Sequence, residues 1–288
     1  MASLIDLRRR IRSVKNTQQI TKAMQMVAAA KLRRAQDRIL AARPYAEQLR
    51  KVTEHLAAQG AADSSHPLLE SRPERKVLLA VVSGDKGLCG SFNTYVLRRA
   101  EKFIREHDGE VDLLLLGKRG AEHFKTKKTP IRASHRSLFT NVRKADADEI
   151  SADLTEAFID ETYDAVYVIY NAFVSVLKQD LTVDKVLPIS PEDLEADGDH
   201  DGPDYIYEPS AEAILADLLP RYVALQVYRV LLESQAAEHA ARMTAMDAAT
   251  KNAKDLIEKL TLVYNQSRQA AITTELIEVV SGAAALEG

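Results

Sequence analysis

The chain contains no tryptophan, a single cysteine and few aromatic residues, which make up 6% of its 288 positions. One cysteine, Cys89, excludes an intramolecular disulfide and any cysteine-rich metal site, and its simplest role is that of a small buried hydrophobe. Apolar runs such as Val77–Val82 and Leu113–Leu116 fall far short of the ~20 residues a membrane-spanning helix needs. No apolar signal core opens the sequence, so a soluble protein made where it works is expected. The seven histidines are scattered, with no H-E-x-x-H pair and no His/Cys cluster at ligand spacing. No G-x-S-x-G nucleophile motif occurs. On this reading there is no catalytic, cofactor-binding or metal site.

Glycine and proline are missing where their absence matters most. Arg221 to Ser281 is 61 residues without either, and Met1 to Gln59 holds only Pro44. A 61-residue helix is about 90 Å long, several times what a small domain needs. Such a helix must pack on a partner, because isolated helices gain little stability alone. Residues 1–59 carry a 3-4 seam at Leu4, Leu7, Ile11, Val14, Gln18, Thr21, Gln25, Ala28, Leu32, Ala35, Ile39, Ala42, Ala46, Leu49, Thr53 and Leu56, a coiled-coil period. Its polar members cluster at 18–25, where Ile20, Met24 and Val27 form another stripe, so a change of buried face is expected there. Pro44 predicts a bend near Arg43 or a helix held by tertiary contacts, and Ser3 is an N-cap candidate. Residues 210–288 carry a matching seam at Met246, Ala249, Ala253, Leu256, Leu260, Val263, Ser267, Ala270, Thr274, Ile277, Ser281 and Ala284. Pro220 reads as a first-turn proline after a shorter piece, Ser210–Leu219. Two facing seams at opposite ends of one chain predict an antiparallel coiled coil.

The middle, residues 75–205, reads as an α/β head inserted between those helices. Lys76–Val82, Val111–Leu116 and Ala165–Tyr170 are strand patterns, with one or two weaker strands over Val174–Leu187. Helices are expected to about Glu106, at Lys118–Phe124 and over Ala147–Asp160. The alternation predicts a mostly parallel, Rossmann-like sheet.

Charge is uneven. Residues 1–57 hold 13 Lys/Arg against 4 Asp/Glu, whereas Glu192–Glu212 holds nine carboxylates and no Lys or Arg. A basic helix permits nucleic-acid binding, but no aromatic is interleaved before Tyr45, so acidic protein partners are the preferred reading. Within Asp197–Glu208 the DGDHDG run resembles part of a calcium loop without its flanking helices, and a solvated loop is preferred.

The segment Ser83-Gly-Asp-Lys-Gly-Leu-Cys-Gly-Ser-Phe-Asn93 follows a strand and opens a helix, where α/β folds bind phosphate. A nucleotide site would use Gly84, Gly87, Gly90 and Lys86. The spacing G-x-x-G-x-x-G fits neither the dinucleotide nor the P-loop pattern, so a structural turn with partner contacts is preferred. A stand-alone nucleotide-binding α/β protein with a coiled-coil oligomerisation region is the alternative.

Three stretches carry a resemblance: LRRRIRSVKNTQQITKAMQMVAAAKLRRAQ near the start, GDKGLCGSFN in the centre, and EHAARMTAMDAATKNAKDLIEKLTLVYNQSRQAAITTELIEVVSGAAA at the end. Together, and in this order, they resemble the gamma subunit of F-type ATP synthase, of the bacterial type. The resemblance implies a non-catalytic rotor shaft that couples rotation of the membrane c-ring to the catalytic beta subunits. The implied partners are the alpha, beta and epsilon subunits and the c-ring, with no nucleic acid and no membrane span. It implies that Arg268 and Gln269 hydrogen-bond a beta-subunit loop, that Lys86 makes a second contact to beta, and that Met24 faces beta's acidic loop. The extra cysteine-containing segment of chloroplast members is not seen beside Cys89, and a bacterial-type chain without a mitochondrial leader is expected. The implied location is the cytoplasmic face of the bacterial inner membrane, as a peripheral protein.

Overall fold

The computed structural model describes residues 4–58, 66–190 and 210–287. The Ser3 cap and the acidic, calcium-like loop at 197–208 lie outside the described residues. The elements are α1 (Leu4–Ala58), β1 (Lys76–Val82), α2 (Phe92–Glu106), β2 (Glu110–Leu116), α3 (Lys118–Phe124), β3 (Ile131–His135), α4 (Lys144–Ile159), β4 (Ala165–Phe173), β5 (Gln179–Leu187) and α5 (Ala211–Glu287). They form two compact units, one from Met1–Val27 with Met243–Gly288 and the other from Ala28–Arg242.

The larger unit is built on a five-stranded sheet in the order β3-β2-β1-β4-β5. All pairs are parallel except β4–β5. The Rossmann-like, mostly parallel expectation therefore holds. Lys76–Val82 lacks polar alternation because β1 is covered on both faces, as parallel strands are. Val77, Leu79 and Val81 join Val96, Ala100, Ala121 and Phe124 of α2 and α3 in one core. Leu78, Ala80 and Val82 join α4 and α5 residues, among them Ile150, Leu154, Val227 and Leu231, in the other. Strand β3 went unread in the sequence. Its IRASH pattern is mostly exposed or half-exposed at the sheet edge, so it lacks the apolar run that marks β1 and β2.

Both prolines sit inside unbroken helices, Pro44 in α1 and Pro220 in α5. The first-turn reading of Pro220 is thus corrected. An interior proline costs about 3 kcal/mol, and the flanking residues offset it by burial. Leu215, Leu219, Tyr222 and Val223 lie in the main core. Around Pro44, Ile39, Ala42 and Leu49 are buried or half-buried.

In the smaller unit the two terminal helices pair antiparallel. The Arg8 guanidinium donates to the Tyr264 hydroxyl (2.7 Å), the Thr21 and Thr250 hydroxyls share a hydrogen bond (2.8 Å), and the Gln25 amide donates to Asp247 (3.0 Å). The expected change of buried face at 18–25 is corrected: the seam keeps its face there. Gln18, Thr21 and Gln25 stay in it, while Ile20 and Val27 are 60% and 56% exposed. Thr21 and Gln25 are accepted there because each finds a polar partner across the pair.

The α5 seam is also corrected. The covered positions are Met246, Thr250, Ala253, Ile257, Leu260, Tyr264, Ser267 and Ala271, not Leu256, Val263 and Ala270. Both sets obey the 3-4 rule, because this helix carries two adjoining apolar stripes. The pairing selects the stripe holding Tyr264 and leaves Leu256, Leu262 and Val263 outside. Of the remaining predicted seam positions, Thr274, Ile277 and Ser281 are exposed.

Candidate functional site

Two surfaces carry the residues singled out by the sequence. The first is the glycine loop, Ser83–Gly90, in the larger unit. Its conformation is set by hydrogen bonds to its own chain. Ser83 Oγ accepts from the Gly120 amide (2.8 Å), and the Gly84 amide donates to Asn93 Oδ1 (2.8 Å). The Asn93 amide in turn donates to the Lys86 carbonyl (3.3 Å) and to Cys89 Sγ (3.2 Å). Asp85 accepts three backbone N–H groups: Lys118 (3.0 Å) and Ser137 (2.9 Å) on Oδ1, and Phe139 (2.9 Å) on Oδ2. Backbone donors at the strand ends that could have cradled a phosphate are therefore committed to Asp85, Asn93 and Ser83. This geometry favours the structural-turn reading over a nucleotide site.

Helix α5 closes the loop from beneath. Arg242 donates to the Gly87 carbonyl (3.3 Å) and pairs with Glu238 one turn earlier. The Glu238 side chain is 4% exposed and that of Arg242 12%. Burial pushes the Glu238 carboxyl above its usual range, and Arg242 partly counters the rise. Burial, with the Arg242 and Lys31 charges, lowers His239 to about 4, so its imidazole is neutral near pH 7. Gly84 lies directly against the pair, and a Cβ there would stand 3.0 Å from the Glu238 carboxylate. Cys89 and Phe92 pack on Ala237. Cys89 is 1% exposed and its thiol is pushed up by burial, as expected of a structural cysteine.

Two side chains of the loop point outward. Lys86 is exposed and pairs with no carboxylate among the described residues. Leu88 is 64% exposed, with its backbone in the left-handed region (φ 60°).

The second surface lies in the smaller unit. Arg268 and Gln269 are both exposed on α5, and neither side chain has a partner among the described residues. Met24 is half-buried on α1, next to Gln25. Thr250 stands at the level of Thr21, so Arg268 is about 27 Å further along the helix axis. The structure therefore groups Arg268 with Gln269 and does not bring Met24 beside them. Beyond Ala271 every α5 residue through Gly282 is exposed, including Ile272, Leu276, Ile277, Val279 and Val280.

Sequence reading missed Asp85, Glu238 and Arg242, and its reading of Leu88 as a packing residue beside Cys89 and Phe92 is corrected, since Leu88 is 64% exposed. Glu238 and Arg242 carried one usable signal, their i,i+4 spacing. Nothing local distinguished them from a solvated pair.

A family profile described as ATP synthase matches residues 3–286. Across the full length of both chains, the sequence is 50% identical to the ATP synthase gamma chain of Geobacter sp. (strain M21) and 52% identical to that of Solibacter usitatus (strain Ellin6076). Its fold is similar to a chain of the Euglena gracilis mitochondrial ATP synthase OSCP/F1/c-ring structure in rotational state 3. That likeness has a TM-score of 0.70 at 19% identity and covers 98% of this chain and 94% of that one. A chain of the Tetrahymena thermophila mitochondrial ATP synthase central stalk/c-ring structure gives a TM-score of 0.61 at 24% identity, covering 80% of this chain and 99% of that one. Head sheet, paired terminal helices and full-length identity agree, and the chain belongs to the ATP synthase gamma chain family.

Proposed function

We propose that this chain works as the central shaft of a proton-translocating F-type ATP synthase. It is the non-catalytic subunit that couples rotation of a membrane c-ring to conformational change at beta-subunit active sites. Shaft work falls to the helical segments 1–59 and 210–288, and docking to epsilon and the c-ring falls to the head, 75–205. The observation that carries the reading is the uncovered apolar end of α5. With Arg8 opposite Tyr264, the described start of α1 at Leu4 lies opposite about Arg268. About 16 Å of apolar-rich helix, Ile272 to Gly282, then continues with no covering partner among the described residues. A surface of this kind needs a surrounding protein wall, and a ring of alpha and beta subunits supplies one.

Coupling follows from differential contact. Each angle of an asymmetric shaft touches different beta-subunit surfaces, and so biases different site conformations. Arg268 and Gln269, Lys86 and Met24 are the proposed contacts. Arg268 is exposed and has no side-chain partner among the described residues, which suits its guanidinium to donating to a carboxylate. No helix among the described residues is long and apolar enough to cross a membrane. We place the chain as a peripheral protein on the cytoplasmic face of a bacterial inner membrane, held there by its partners.

The test is single-molecule rotation. A complex of this chain with alpha and beta subunits is fixed to glass, with a bead on a cysteine introduced at the exposed Lys102 and Cys89 replaced by serine. MgATP should drive unidirectional rotation with three pauses per turn. A complex of correct composition that hydrolyses ATP with a stationary bead would rule the shaft reading out.

A further inference from the structure

The glycine loop presents two outward residues, Lys86 and Leu88, on a backbone that a leucine does not adopt freely. A non-glycine residue in the left-handed region is disfavoured and persists only where its surroundings dictate the conformation. Those surroundings are now identified. Asp85, the residue before Lys86, is fastened by three backbone N–H groups from two other segments, the start of α3 and the turn at Ser137–Phe139. Asn93 ties the loop from the opposite side at Gly84 and Lys86. Neither side chain needs to touch a partner to fix where Lys86 points.

We propose that Asp85 is a positioning residue for the partner contact of this loop, holding Lys86 and Leu88 outward in a preformed arrangement. The proposal rests on the reading of Lys86 as a beta-subunit contact. A preformed loop binds without first ordering its backbone, so the contact can be made and broken each turn with little conformational entropy cost. An untied loop would still carry Lys86, but it would have to order on every encounter.

Cys89 provides a reporter, because it is the only thiol in the chain and is buried by the folded loop. In the free chain, Asp85→Asn should raise the rate of Cys89 labelling by a disulfide reagent at least about tenfold, since three hydrogen bonds to a charged acceptor are weakened together. Lys86→Ala should leave that rate unchanged. Amide exchange in β1 and β4 checks that the sheet remains folded. In the assembled, membrane-reconstituted complex, Lys86→Ala should reduce ATP-driven proton pumping roughly two- to fivefold, the range of an exposed ion pair. Asp85→Asn should reduce it similarly, and the double variant should be no worse than Lys86→Ala alone. Asn93→Ala, which unties the other side of the loop, should follow Asp85→Asn in both assays. Additive losses in the double variant, or normal pumping in Asp85→Asn where Lys86→Ala is impaired, would overturn the positioning role and leave the Lys86 contact standing. Normal pumping in Lys86→Ala would overturn the contact and the positioning role together.

Discussion

The Glu238–Arg242 pair offers the sharpest test of how the loop is supported. Glu238→Ala removes a carboxylate that is 4% exposed and leaves the Arg242 guanidinium, 12% exposed, without its counter-ion. Its remaining hydrogen bonds are long, 3.3 Å to the Gly87 carbonyl and 3.4 Å to His239 Nδ1. Breaking one half of a buried pair costs about 3–5 kcal/mol, because the other charge stays buried and uncompensated. A unit of this size shifts its melting temperature by roughly 2–4 °C per kcal/mol, so a fall of about 6–20 °C is expected. Glu238→Gln should cost about half as much, since its amide oxygen can still accept from Arg242. Gly84 then supplies an internal control. A methyl group there would meet the Glu238 carboxylate at 3.0 Å and Asn93 Oδ1 at 3.2 Å. Gly84→Ala should therefore cost about 1–3 kcal/mol in the parent chain, and distinctly less once Glu238 is alanine. Urea unfolding followed by circular dichroism measures all four corners of the cycle. A loss below about 1 kcal/mol for Glu238→Ala would refute the buried-pair argument. An equal cost of Gly84→Ala in both backgrounds would refute the packing argument.

Arg268→Ala should slow multisite ATPase of the assembled complex roughly ten- to hundredfold, the rate equivalent of about 1.5–3 kcal/mol for a hydrogen bond to a charged group. Gln269→Ala should do so more weakly, and both free chains should melt normally. His239 titrates near 4 when folded and at 6.5 when free. Below pH 6.5 the unfolded chain gains a proton that the folded chain refuses, so stability falls between about pH 6.5 and 4 and is untouched above that window. His239→Gln should remove about 3 kcal/mol of this acid-side loss, seen as a flatter stability curve over those pH values. Truncation after Ala271 removes helix that is exposed from Ile272 through Gly282, so the free chain's melting temperature should hold within about 1 °C while ATP-driven rotation of the complex weakens. A large melting shift on truncation would show that the α5 end is covered within the chain.

The head was legible because each of its central strands is a run that only a doubly covered parallel strand tolerates, KVLLAVV above all. Edge strand β3 was not, since half-exposed residues at a sheet margin carry no such run. The long helices were legible in extent from the missing glycines, while their prolines misled at Pro220, where burial of Leu219 and Tyr222 outweighs a local penalty. Seam choice was the least legible feature. On α1 the polar seam residues Thr21 and Gln25 looked like a break, because their partners, Thr250 and Asp247, lie more than two hundred residues away in the chain. The loop was found by its glycines, but what holds it came from Asp85, Glu238 and Arg242, whose partners only the fold reveals.

The polar seam and the exposed stripe are two sides of one arrangement. In the smaller unit, Thr21 with Thr250 and Gln25 with Asp247 occupy positions where leucine would bury more area and stabilise more. Meanwhile Ile20, Met26, Val27, Leu262 and Leu276 are left exposed. A helix pair evolved for stability alone would exchange these placements. Hydrogen-bonded polar pairs fix register between two helices, because a shift of one turn would break both bonds and leave the buried Thr21 hydroxyl without its partner across the pair. Apolar side chains on the outside then meet whatever surrounds the pair without direction or fixed register, which suits a surface that must slide. Replacing both Thr21 and Thr250 by valine tests this division. It should leave the free chain as stable or more so, since both polar partners go together. Hydrogen exchange around Thr250 should slow or hold. In the assembled complex the same change should loosen register and lower the ratio of protons pumped to ATP hydrolysed. A destabilised free chain, or full coupling with the double valine, would contradict the assignment of register to the polar seam.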